Sequence, residues 1–402
     1  MRLVVIGNGV AGVTTARLVA ERDPSAEVTI YSEEPYPYYA RPRLIDLLAG
    51  RVAPEDMAFY PEEWYRKRGL CVVLGCRVVQ LKLQSREVIL ANGERIAYDQ
   101  LVLATGARPW VPPIKGADAE GVYTLRSMDD ALALRDRAKE GKRAVILGGG
   151  LLGLDTAMAL RVHGIGVTVV EIAPHLLPRQ LDAQGAAVLQ RAIEERGVDI
   201  ITGDACEWIE RQNGHLRLKL KSNRVLEAGL VVISAGVQPR LELAQEAGLS
   251  CNKGLVVNER LLTSAPDVYA VGDVAEFNGR IWSIIPAALA QAQVAAAQIC
   301  GERDILYKDI VPSTTLKVTG IDLTSVGEVN PQGDGFVEER RIDAAKGIYK
   351  KLVIRDGRVV GAIVLGDRSG VRAITQLIER KVNVSAYVGT LLDEGFNLAS
   401  LV

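Results

Sequence analysis

The sequence predicts an α/β fold that uses one strand–glycine–helix unit twice and then adds a smaller α+β domain. Two observations carry this. The first is an internal repeat: "RLVVIGNGVAGVTTARLVAER" followed by "EVTIYSEE", and later "RAVILGGGLLGLDTAMALRVHG" followed by "VTVVEIAP". The second is a late change of pattern. "YKKLVIRDGRVVGAIVL" reads as a hairpin around Asp356-Gly357, and "SGVRAITQLIERKVNV" has the spacing of an amphipathic helix.

Bulk properties bound the class. The chain has 402 residues, 48% of them apolar, and a formal charge of −1, which describes a globular protein of two or three domains with substantial cores. That balance leaves no footprint for nucleic acid or an anionic membrane. Five scattered cysteines suit a reducing compartment rather than a disulfide scaffold. The start runs directly into a strand-like stretch, without the pattern of a signal peptide. "IIPAALAQAQVAAAQIC" is too short and too polar to span a bilayer. The expected location is the cytoplasm.

Taken in order, each repeat is a short apolar strand, Gly-x-Gly-x-x-Gly, a helix and a second strand with an acid at its end. Gly7 and Gly148 permit the tight turn out of the strand, and Gly9 and Gly150 let a pyrophosphate approach backbone N–H groups at the helix start. Gly12 and Gly153 allow the helix to pack close. Candidate contacts are therefore Gly7, Gly9, Val10, Ala11 and Gly12 in the first copy, and Gly148, Gly150, Leu151, Leu152 and Gly153 in the second. Glu33, its neighbour Glu34, and Glu171 are placed to accept hydrogen bonds from an adenosine ribose. One such motif alone also fits an ordinary βα turn, but two complete copies predict two Rossmann-like dinucleotide-binding domains.

Three further strings follow. "YDQLVLATGARP" (98–109) contains Ala104, Thr105 and Gly106, and "LVVISAGVQPR" (230–240) contains Gly236. "TSAPDVYAVGDVAE" (263–276) is a strand ending in Gly272-Asp273, a pattern that also fits an Asp-capped turn. With these four motifs in this order, the chain resembles the two-dinucleotide-binding-domain flavoprotein oxidoreductases. It is most similar to the branch of NADH:rubredoxin reductases and the flavin module of NADH-dependent nitrite reductases, through "YPYYARPRL", "LLAG", "EEWYRKRGL", "LRSMDDA" and "LKVTGIDLTSVGE".

The resemblance implies a nested arrangement: an FAD domain at 1–110 and 240–308, an NAD(P)H domain at 111–239, and a C-terminal α+β domain at 309–402 for dimerisation or partner docking. It places Arg41 and Pro42 near the flavin, Val78 by its backbone at the adenine, and Asp273 on the ribityl chain. Arg126 would neutralise pyrophosphate charge, and the N–H groups of Ile285 and Ala287 would face the flavin pyrimidine edge. Many relatives pair a Lys with a Glu near flavin N5. Asp46 and Asp155 stand at those positions here, and Arg43 is the other cation nearby.

Cys71 and Cys76 have the spacing of a redox pair, in "LCVVLGC". Relatives with a reactive disulfide carry it earlier, where this chain reads "YYARPRLIDLLAG". The Val-rich run around Cys71 and Cys76 predicts strand and turn, with thiols that diverge. The three histidines (His163, His175, His215) lack metal-ligand spacing, and none follows 215. No metal and no catalytic side chain is assigned.

The implied activity is transfer of electrons from NADH through FAD to a separate one-electron carrier, such as rubredoxin, ferredoxin or an iron–sulfur subunit. Glu171 favours NADH over NADPH by repelling a 2′-phosphate. The alternatives are an NADH oxidase, the flavin subunit of a nitrite or nitrate reductase system, and a non-enzymatic NADH-responsive flavoprotein. The charge runs "EERRID" and "YKK" are expected to be solvated faces.

Overall fold

The structure, a computed structural model, describes residues 1–140, 143–309, 313–318 and 320–402, without the side chains of 313–318. Thr319, inside the string "LKVTGIDLTSVGE", lies outside the described residues. The chain divides into two compact units. The first comprises Met1–Leu47, Arg51–Trp110 and Val237–Ile310, and the second Leu48–Gly50, Val111–Gly236 and Val311–Val402.

In the first unit the strands Arg2–Ile6, Glu27–Tyr31, Leu70–Val73, Gln100–Leu103 and Val268–Ala270 form one parallel sheet with Arg2–Ile6 at its centre. The central strand is almost wholly buried, as expected of a parallel sheet covered on both faces. The helix Val10–Arg22 buries Ala11, Gly12, Thr15, Ala16 and Val19 and ends where Pro24 forbids another turn. The Ala-rich helix Ile285–Ile299 packs beside it.

The second unit repeats this plan. Val122–Tyr123, Arg143–Leu147, Gly166–Glu171, Val198–Thr202 and Leu230–Ile233 form its parallel sheet, again with the pre-glycine strand central. Even single bonds correspond. The N–H of Gly7 donates to Tyr31 O and that of Gly148 to Val170 O, both at 2.8 Å. Each unit also inserts a three-stranded antiparallel meander before its last shared strand, at 78–97 and at 206–228. Where the chain leaves and re-enters the first unit, Ala107–Pro109 and Val237–Pro239 pair as an antiparallel ribbon.

The last residues form a five-stranded antiparallel sheet in the order 313–318, 321–327, 358–365, 348–355, 336–343. The helix Val371–Glu379 lies on it through Ala373, Ile374 and Leu377. The Asp356-Gly357 turn has φ of +50° and +68°, the conformation of a two-residue type I′ hairpin. By its contacts this sheet belongs with residues 111–236 in the second unit. The join corrects one expectation. "YKK" is not a solvated face: Tyr349 is fully buried and the Lys351 side chain is 2% exposed. Lys351 pairs with Asp182 at 3.1 Å and Glu338 at 2.8 Å, so part of "EERRID" is drawn inward as well.

The hairpin supplies a stability test. Gly357→Ala places a side chain at φ +68° with its Cβ 1.9 Å from Ser385 Oγ. The expected loss is about 1–3 kcal/mol in urea unfolding. An unchanged urea midpoint would contradict the turn geometry.

Candidate functional site

The glycines of each motif divide into two kinds. Gly7 adopts φ +112°, and a Cβ there would stand 2.2 Å from Ala104 O. A Cβ at Gly12 would stand 2.0 Å from Gly7 O. The protein itself requires both to be glycine, because helix, turn and the strand exit at Ala104-Thr105-Gly106 meet backbone to backbone. Gly9 differs. It has an ordinary extended backbone (φ −84°, ψ −178°), and an added Cβ would meet nothing within 4 Å. It is the N-cap of the helix and makes no side-chain cap, so the first-turn N–H groups of Val10, Ala11 and Gly12 face an open cradle. In the same loop the Asn8 Nδ2 is buried with no hydrogen-bond partner, while its Oδ1 accepts from Tyr65 OH.

The second motif matches this. Gly148 (φ +124°) would meet Ser234 O at 2.3 Å and Gly153 would meet Gly148 O at 2.0 Å, while Gly150 again has nothing within 4 Å and caps the helix without a side chain. Leu151 and Leu152 begin that helix, with Leu152 exposed, and Asp155 lies one turn on. Glu171 ends its strand as expected. One carboxylate oxygen accepts from Gly149 N at 2.6 Å and the other from Ala173 N at 2.7 Å. The acid thus braces the glycine turn, and a carboxylate retains acceptor sites beyond those two bonds.

Around the first cradle the two candidate acids have different partners. Glu33 accepts from Arg240 at 2.6 Å. Glu34 pairs with Arg41 at 2.8 Å and accepts from Tyr39 OH. Burial works to lower the Arg41 pKa, but Glu34, Tyr39 and Asp273 outweigh it, so the guanidinium stays charged in this partly enclosed position. Pro42 sits in the short 3-10 turn Arg41–Arg43. Gly272 (φ +80°) would bring a Cβ within 2.9 Å of Ala11 Cβ, which sets the 263–276 strand end against the first helix. Its N–H donates to Gln291 Oε1 at 2.7 Å. Gln291, 3% exposed, is not singled out from the sequence; it is one of three glutamines in an Ala-rich helix, and nothing local marks it apart from Gln293 and Gln298. Ile285 (exposed), Pro286 and Ala287 (buried) form the first turn of that helix, also without a side-chain cap. Val78 is buried at the start of the first meander. Thr105 Oγ1 donates to Arg240 O, and Arg240 N donates to Gly106 O.

The first unit therefore gathers Gly7 to Gly12, Glu33, Glu34, Arg41, Pro42, Val78, Ala104 to Gly106, Gly272, Asp273, Ile285 and Ala287. Arg126 and Gly236 fall in the second unit. Arg126 enters the helix Met128–Glu140, where Asp130 accepts from the N–H groups of both Arg126 and Ser127 in a capping box. Asp46 is engaged by Arg51 at 2.8 Å. Cys71 and Cys76 are both free. Cys71 lies on the strand Leu70–Val73 and Cys76 just past the turn that follows it, the strand-and-turn pattern the sequence predicts. Among the described residues no cluster of His, Cys, Asp and Glu could hold a metal, and no helix is long and apolar enough to cross a membrane.

Comparison with known proteins gives the family and the fold. Residues 1–298 match the family described as pyridine nucleotide-disulphide oxidoreductase, and residues 312–382 match the rubredoxin NAD+ reductase C-terminal domain. The chain is 34% identical to the assimilatory nitrate reductase electron transfer subunit of Bacillus subtilis, covering 94% of this chain and 49% of that protein. It is 30% identical to the NADH-rubredoxin oxidoreductase of Clostridium acetobutylicum, covering 92% of each. A ferredoxin reductase from Rhodopseudomonas palustris has a similar structure, with TM-score 0.89, 26% identity and 99% of each chain covered. The chain spans about half the length of the nitrate and nitrite reductase proteins it matches.

The two kinds of glycine separate in experiment. Gly9→Ala and Gly150→Ala should melt at the wild-type temperature, since the new methyl meets no protein atom, and should weaken dinucleotide binding at least about tenfold. Gly12→Ala and Gly153→Ala should lose about 2–4 kcal/mol of stability. Thermal melts with flavin absorbance and NADH titration check both, and equal effects at all four positions would refute the distinction.

Proposed function

The chain belongs to the pyridine nucleotide-disulphide oxidoreductase family, and from that premise we propose that it is an FAD-dependent NADH reductase serving a separate one-electron carrier. One observation carries the reading: two uncapped helix starts, each behind a glycine that the protein itself does not need. Family membership implies FAD and a nicotinamide nucleotide. Bound flavin supplies two-electron acceptance and single-electron release.

The residues of the chain do the holding. The Gly9 cradle and the Ile285 helix start offer N–H groups to FAD, Arg41 supplies a cation, and Asp273 takes the ribityl hydroxyls. The Gly150 cradle holds the nicotinamide nucleotide, with Glu171 accepting from its adenosine ribose and repelling a 2′-phosphate, which makes NADH the preferred donor. Residues 1–110 with 240–308 form the FAD domain and 111–239 the NAD(P)H domain. Residues 309–402 serve dimerisation or docking. Rubredoxin or ferredoxin as acceptor is supported by the named activities of the Clostridium and Rhodopseudomonas proteins. Five free cysteines suit the cytoplasm. No disulfide relay is part of the route.

Anaerobic stopped-flow tests this. NADH should bleach the flavin, and added rubredoxin or ferredoxin should restore its colour in one-electron steps. Colour that neither NADH nor NADPH removes would refute the proposal, and rapid peroxide formation in air without a carrier would point to an oxidase. Glu171→Gln should narrow the NADH preference about tenfold, as expected when the repelling charge is lost. A double Cys71→Ser, Cys76→Ser variant should turn over at the wild-type rate.

A further inference from the structure

The eleven residues after Glu171, Ile172 to Asp182, join its strand to the helix Ala183–Glu194. Such connections are usually shorter, and the middle and far part of this one are held from two sides. Midway along, Leu177 N donates to Gly149 O at 3.3 Å, and Leu176 packs so tightly that a Cβ on Gly149 would stand 2.7 Å from it. Leu177 itself has φ +50°, a conformation that a branched side chain adopts only when its surroundings impose it.

The residues that follow are gripped by the C-terminal sheet and by the 328–335 loop between two of its strands. Asn330 Nδ2 donates to Pro178 O at 3.3 Å and Leu181 O at 3.0 Å. Asp182 caps the following helix by accepting from Gly185 N at 3.0 Å, and its other oxygen takes Tyr349 OH at 2.6 Å and Lys351 Nζ at 3.1 Å. Burial pushes the Asp182 pKa up, but the bonds from Tyr349, Gly185 and Lys351 outweigh it and hold the carboxylate charged. A Cβ on Gly185 would stand 2.9 Å from the Tyr349 ring, so the helix start rests on that ring. Replacing a buried ion pair by apolar residues is often neutral or stabilising, which makes position a better account of this network than stability.

We propose that Asn330, Tyr349 and Lys351 are positioning residues through which the C-terminal sheet sets the 172–182 loop, and with it the affinity of the second cradle for the adenosine half of its nucleotide. This rests on the reading of Glu171 and Gly150 as the nucleotide site. The sheet makes no contact with the nucleotide in this scheme; it acts on Gly149 and Glu171 through the loop.

ADP-ribose, which lacks the nicotinamide, is the probe, titrated calorimetrically into the purified flavoprotein. Asn330→Ala removes two bonds from an exposed residue, and Tyr349→Phe removes a single hydroxyl. Each should weaken ADP-ribose about three- to tenfold and raise KM for NADH in step, with flavin content and kcat unchanged; Asn330→Ala, whose side chain is exposed, should also keep the wild-type melting temperature. Amide exchange should quicken within 174–181. Wild-type affinity in both variants, or a fall in kcat with affinity unchanged, would overturn the proposal. A wild-type protein that binds no ADP-ribose would overturn the nucleotide reading along with it.

Discussion

The architecture depends on backbone meeting backbone where a side chain would ordinarily intervene. In each unit the helix is drawn against the turn that precedes it until the third glycine of the motif touches the carbonyl of the first. That contact aims the helix start over the carboxyl end of the central strand, where N–H groups and the helix dipole favour negative charge. Strand pairing, the depth of the cradle and the position of the trailing acid all follow from it. The units keep the same register around this point despite different surroundings, as the matching bonds from Gly7 and Gly148 show.

Much of this is legible in sequence because it is local. Glycine spacing, an apolar strand and a trailing acid lie within about 30 residues of one another in each copy, and each has a steric or electrostatic reason to be there. Less legible is what each acid does beyond its position. Glu33 meets Arg240 across 207 residues of sequence, and Glu171 spends bonds on its own turn. The two meanders escape a reading by motif, because short strands of alternating exposure carry little signal of their own. The Val-rich run around Cys71 and Cys76 is legible as a strand followed by a turn, because that signal is local.

The buried lysine shows the limit most clearly. A Lys-Lys pair in a hairpin strand reads as solvent-facing, and Lys350 beside it does reach Asp367 and Ser369 near the surface. Lys351 points the other way because strand residues alternate, and the face it joins is defined by Asp182, whose other partner Tyr349 is 167 residues away along the chain. Local composition contains no trace of that meeting.

The ribbon of Ala107–Pro109 with Val237–Pro239 has a consequence for synthesis on the ribosome. The first unit cannot close its sheet until Val268–Ala270 emerges, although its other strands are finished by Leu103. At typical elongation rates that leaves a four-stranded sheet without its fifth strand for roughly ten to thirty seconds. The intervening segment has time to complete its own parallel sheet first. The second glycine turn thus sits in a finished sheet before the first does, and the Gly272 strand end that packs against the first helix arrives only afterwards.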